Sequence, residues 1–254
     1  MIDTIPRKLA LLPILAVAAT GAHSPPAATI PGFEPLATNS SGAALCTRDR
    51  VWCVATQGEK GPLVITANGK EVGRQMPDAE DSDLQLSPLP ALLRLSDGSA
   101  IVAVQVREPI SYSGGGGEIA TLRLLHIRRD EAPRTVLTVP WNTDLMIRAC
   151  FSEKDAKARA GACHDQYQFD GQLAVVKPTK AGPPTLTYTA SAQYFPRGIS
   201  RNTDSLTLPP LKKSDLIWVN DRACSYRRTL SFDPASGVYK PDTPLPDCDQ
   251  YTSQ

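Results

Sequence analysis

From about residue 51 the apolar positions fall in short runs that alternate with polar ones, and turn-forming residues separate the runs. Alternation puts successive side chains on opposite faces of an extended chain, so each run predicts a half-buried β-strand. Val51 to Thr56 is the first. Leu63 to Ala67 and Glu71 to Arg74 flank Asn68-Gly69, and Leu92 to Leu95 and Ala100 to Arg107 flank Asp97-Gly98. Both dipeptides suit the positive φ angles of a tight hairpin turn. Ile119 to Ile127 and Arg134 to Val139 continue the meander. Further on, Leu186, Tyr188, Ala190, Ala192 and Tyr194 alternate with Thr185, Thr187, Thr189, Ser191 and Gln193, giving a strand with a hydroxyl-rich outer face. Leu216 to Val219, Tyr226 to Phe232 and Val238-Tyr239 complete the set, the last turn carrying Asp233-Pro234 and Ser236-Gly237.

One segment reads as helix. Ser152 is placed to cap it, Glu153 and Asp155 put acids in its first turn, and Gly161 can end it, so a helix near 153–160 is predicted. Proline supports a strand-rich chain: 23 of 254 residues is well above the usual roughly 5%, and proline breaks helices. The expected fold is therefore all-β, an antiparallel meander forming a sandwich, a barrel or an irregular propeller-like body. No repeat of 30–50 residues supports a regular propeller. Residues 44–254 suit one β domain, and breaks near Pro140 or Pro178 are not required.

The first 22 residues read as a secretory signal peptide: Arg7 and Lys8, then an apolar stretch from Leu9 to Ala19, then Thr20-Gly21-Ala22 before the cut. Cleavage there removes Asp3, Arg7 and Lys8, taking 27 Lys+Arg to 25 and 26 Asp+Glu to 25. The mature chain is then neutral overall, which argues against nucleic acid as a partner and against membrane attachment after cleavage. Residues 23–43, with Pro25, Pro26, Pro31 and Pro35, read as a flexible tether. A bacterial periplasmic or secreted location is expected.

Cys46, Cys53, Cys150, Cys163, Cys224 and Cys248 make an even set, and in an oxidising compartment an even set implies disulfides. Six cysteines allow 15 pairings. The simplest joins sequence neighbours as Cys46–Cys53, Cys150–Cys163 and Cys224–Cys248, the second enclosing the helix. No Cys-x-x-Cys occurs, so no metal site and no cofactor are expected.

Catalytic chemistry is sparse. His23 sits at the cleavage point, leaving His126, on one strand face with Leu122 and Leu124, and His164, beside Asp165. Neither lies in a nucleophile or zinc motif. Asp78, Glu80, Asp81 and Asp83 fail the calcium-loop pattern, since Asp83 stands where glycine is needed. Glu118 has no carboxylate partner in the sequence.

The most unusual stretch is Ser111 to Glu118, where Tyr112 and Ser113 precede Gly114, Gly115, Gly116 and Gly117. It reads as a loop of about ten residues in which the glycines give a ligand access to backbone and Tyr112 is an anchor. Tyr112, Ser113 and Gly114 to Gly117 are thus the candidate binding residues. The Thr/Ser face of 185–193 is a weaker candidate. Tyr226, Arg227, Arg228 and Trp218 suggest either a contact surface or a salt bridge within the sheet. The expected function is a non-catalytic binding or inhibitory module whose partner is an envelope or extracellular protein or polymer, with a hydrolase of envelope polymers as the alternative.

Overall fold

The computed structural model describes residues 29–58, 60–77, 83–179 and 182–253. The expected signal peptide, His23, Asp78, Glu80 and Asp81 lie outside them. Every strand pairing among the described residues is antiparallel. Short strands come first: β1 (Glu34–Pro35), β2 (Ala37–Thr38), β3 (Leu45–Cys46), β4 (Trp52–Thr56), β5 (Leu63–Ala67) and β6 (Lys70–Gln75). A long meander follows: β7 (Gln85–Arg94), β8 (Ala100–Tyr112), β9 (Gly115–Ile127), β10 (Arg134–Arg148), β11 (His164–Lys177) and β12 (Thr185–Phe195). β13 (Val219–Asn220), β14 (Tyr226–Asp233) and β15 (Val238–Pro241) complete it, with α1 (Glu153–Ala158) and α2 (Asp249–Thr252). The large sheet runs β1-β7-β8-β9-β10-β11-β12-β14-β15 with β13 beside β12, and the small sheet runs β2-β3-β4-β5-β6. Neither closes into a barrel, so of the three expected architectures the body is sandwich-like.

Alternation explains how the sheets stack. In β8, Ile101 and Ala103 belong to one core, while Ala100, Val102, Val104 and Val106 belong to another. The first core fills one face of the large sheet with Leu122, Leu124, Leu145, Phe169, Leu186 and Tyr188. The second packs β7–β9 against Val54, Leu63 and Ile65 of the small sheet. Strands β7–β9 are therefore buried on both faces, as in the centre of a sandwich. Each fully buried Leu or Ile contributes roughly 1.5–3 kcal/mol.

Two expectations need correction. From residue 29 onward the proline-rich segment is not a tether: Ile30, Phe33 and Leu36 are buried, and Glu34–Pro35 pairs with β7. The amide of Val175 donates to Pro31 O at 2.9 Å, fastening the segment to β11 as well. Its apolar residues have cores to enter, and its prolines stand at an edge where no ladder amide is needed. Secondly, β11 and the second half of β10 are strands that the sequence reading does not include. Gly171 interrupts the alternation in one, and Pro140 stands within the other. Pro140 is tolerated because it lies at a bulge, just before pairing with β11 begins at Asn142.

The three disulfides join neighbours as expected: Cys46–Cys53, Cys150–Cys163 and Cys224–Cys248. Such local bridges fit an oxidising compartment. The second closes the loop that holds α1, where Ser152 Oγ accepts from Asp155 N at 3.2 Å and Asp155 accepts from Phe151 N at 3.0 Å. The third holds the C-terminal turn, whose Tyr251 is fully buried against Tyr167 and Phe169, with ring centroids 6.1 and 6.2 Å away. Among the described residues no helix is long and apolar enough to cross a membrane.

Candidate functional site

The glycine run is not a long loop. β8 continues to Tyr112 and β9 starts at Gly115, and these two residues are paired, so Ser113-Gly114 alone make the turn. The glycines are needed where backbones crowd. A Cβ on Gly115 would lie 2.0 Å from Met146 O, one on Gly116 2.6 Å from Ile110 O, and one on Gly117 1.9 Å from Asp144 O. Gly114 lies against the Arg148 side chain and accepts the Arg148 amide at 2.8 Å. These contacts are with neighbouring strands of the same sheet. In a strand, glycine marks such close approach.

The hairpin tip does border an exposed surface. Along β10, Asn142, Asp144 and Met146 point away from the core, and the register sets them opposite Asp170, Gln168 and Gln166 of β11. Those three face Ser191, Gln193 and Phe195 of β12. The outer face is therefore a grid of amides, hydroxyls and carboxylates: Gln193 Nε2 donates to Gln168 Oε1 at 2.7 Å, and Asn142 Nδ2 to Asp170 Oδ1 at 3.2 Å. Its far end is apolar. Trp218, 41% exposed, packs on Phe195 with centroids 5.7 Å apart, and Met146 is 44% exposed. Phe151, 62% exposed, lies under the Arg148 guanidinium at 5.0 Å. Aromatic, Met and Arg side chains are the types enriched at protein contact surfaces.

Lower on this face the hydroxyls of β12 frame a groove of about 440 Å³, with Gln172, Thr187, Thr189 and Arg227 among its lining residues and Trp141 and Pro31 as its apolar wall. The expected cluster of Tyr226, Arg227, Arg228 and Trp218 is divided. Trp218 is at the other end of β12. Tyr226 and Arg228 share the inner face, where Arg228 lies over the Tyr226 ring at 5.1 Å and its Nε donates to Thr243 O at 3.1 Å. Arg227 points outward, and its Nε donates to Thr187 Oγ1 at 3.0 Å. The expected salt bridge does not form: among the described residues neither arginine has a carboxylate partner.

The histidines separate cleanly. His126 is buried, and its Nε2 lies 2.8 Å from Ser99 Oγ, which is itself 2.5 Å from Asp97 Oδ1. Ser, His and Asp are together, but in the wrong order for a nucleophile. The hydrogen bonds from the Ser99 hydroxyl and amide hold the Asp97 carboxyl below its usual range. Asp97 is then ionised near neutrality, and the single hydroxyl proton goes to it. His126 must donate from Nε2 to Ser99 Oγ and cannot also accept that proton. Burial, the largest influence, pushes the His126 pKa down.

His164 is exposed, while its neighbour Asp165 is buried with Arg159 and accepts from Arg159 Nη2 and Ser205 Oγ. Burial pushes the Asp165 carboxyl up, against the pull of Ser205 and Arg159. This trio ties the loop before Leu206 to the disulfide-closed helix. Glu118, without a partner in sequence, stands directly across from Asp144, with Arg107 Nη1 4.0 Å away on the open face.

Among the described residues no group of three or more His, Cys, Asp or Glu side chains is arranged to hold a metal ion. The chain matches no family model, no curated protein and no solved structure.

Proposed function

We propose that the chain is a non-catalytic binding protein of the periplasm or extracellular space, contacting an envelope polymer or protein through the outer face of β10–β12. The observation that carries this reading is the apolar end formed by exposed Met146 and Trp218 with half-buried Phe195, bordering a grid of amide, hydroxyl and carboxylate side chains. Amides and hydroxyls both donate and accept, which suits a repeating polar ligand, and exposed rings give contact area at small entropic cost. The three disulfides and the expected leader at residues 1–22 support the compartment.

Cosedimentation of the purified chain with insoluble cell-wall polymer tests the reading. Retention is expected, and Trp218→Ala should weaken it about tenfold, a typical effect of truncating an aromatic anchor. Retention unchanged in Trp218→Ala, or absent in the unaltered chain, overturns it. Covalent labelling of Ser99 by a fluorophosphonate would favour a hydrolase instead.

A further inference from the structure

We propose that the groove beside Arg227 binds an acidic oligosaccharide, with its carboxylate on the guanidinium and its hydroxyls on Thr189 and Gln172; this rests on the binding reading above and names its ligand class. The guanidinium is held from behind. Arg227 Nε donates to Thr187 Oγ1 at 3.0 Å, and Thr187 in turn lies 3.4 Å from the Arg228 carbonyl oxygen to which it donates. The register sets Gln172, Thr189 and Arg227 side by side across β11, β12 and β14. The two terminal nitrogens of Arg227 have no partner among the described residues, and no acid lines the groove. A fixed, uncompensated guanidinium in a concave site is suited to the planar, bidentate binding of an oxyanion.

The rest of the ligand follows from what surrounds that charge. A peptide would gain most by adding to a free strand edge. None is offered here: over 186–190, β12 is paired with β11 on one side and β14 on the other, and the Val175 amide of β11 is taken by Pro31 O. Recognition must come from side chains. Thr189 and Gln172 are exposed, and each both donates and accepts, matching sugar hydroxyls. Exposed Pro31 and the small exposed part of the otherwise buried Trp141 give the groove an apolar side against which the C–H face of a sugar ring can lie.

Titration calorimetry of the purified chain with tetragalacturonate, a neutral galactose tetramer, a sulfated tetramer and a tetrapeptide with a free C-terminus tests this. The uronate is expected to bind at least tenfold more tightly than the neutral sugar, the sulfated sugar or the peptide. Arg227→Gln should remove at least tenfold of that affinity. Arg227→Lys should not restore it, because the ammonium cannot bind bidentately, and Thr189→Val should cost a few-fold. Arg227 is exposed, so thermal melting of all three variants should match the parent. No uronate binding, binding indifferent to Arg227→Gln, or equal binding of the neutral sugar overturns the proposal. A preference for sulfate overturns the carboxylate assignment, and a preference for the peptide overturns the glycan. If these fail while Trp218→Ala still weakens retention on cell-wall polymer, only this inference falls and the broader binding reading stands.

Discussion

The glycine run at 114–117 and the threonine face of β12 make an instructive pair. The first is the most unusual stretch of the sequence, and it proves to be a tight hairpin whose glycines let β9 lie against its neighbours. The second is plain strand composition, and it frames a groove around a fixed arginine. Unusual composition thus marked a packing constraint, while ordinary composition supplied the surface we propose for binding. The difference is one of surroundings: a missing Cβ acquires meaning from the backbone pressed against it, and a threonine from what lies across the next strand.

The largest expected effect breaks the comparison from inside β12. Leu186 is fully buried on the inner face, so Leu186→Ala should cost about 2–5 kcal/mol in urea unfolding. Similar stability would mean that β12 is not packed against the core as described. Next comes the hairpin. Gly115→Ala and Gly117→Ala each place a Cβ about 2 Å from a carbonyl oxygen of β10, and each should destabilise by about 1–3 kcal/mol. An unchanged urea midpoint would return the run to the status of a loose loop.

A third test uses pH. Burial lowers the His126 pKa from its ordinary 6.5, so the unfolded chain binds more protons than the folded one just below that value. Stability conferred by neutral His126 is therefore present above pH 6.5 and declines as pH falls through 6.5 toward the lowered folded-state value. Melting followed from pH 7.5 to 5 should show this decline, and His126→Gln should flatten it. An equally steep decline in the variant would assign the acid sensitivity to other groups. The smallest effect sharpens the contrast within β12: Thr189→Ala, on the exposed face, should change stability by no more than about 0.5 kcal/mol. A large loss would make the threonine face structural.

Much of the fold was legible. Asn68-Gly69 and Asp97-Gly98 announced their turns, and both glycines have positive φ. The alternation over 185–193 gave the correct face for every residue from Leu186 to Gln193. The helix at 153–158 and its cap at Ser152 also follow local rules. β11 was passed over although Gln166, Gln168 and Gln172 alternate with core-facing Tyr167, Phe169 and Leu173; Gly171, in a core-facing place without a side chain, breaks the run in its middle. The proline-rich segment was misread because proline content speaks of local stiffness, whereas the burial of Ile30 and Phe33 depends on a core assembled from distant strands.

What the sequence determined by itself was therefore local: strand period, turn position, helix cap and the pairing of neighbouring cysteines, each set by interactions within a few residues. Only the tertiary structure decided what faces what. It placed Ser99 between Asp97 and His126 in an order that keeps the hydroxyl proton on the carboxylate side, and set Glu118 opposite Asp144. It also turned Arg227 into the groove beside Thr189 and Gln172. Those neighbours come from strands tens of residues apart, and the register of a sheet, fixed by the burial of one face, is what brings them into line.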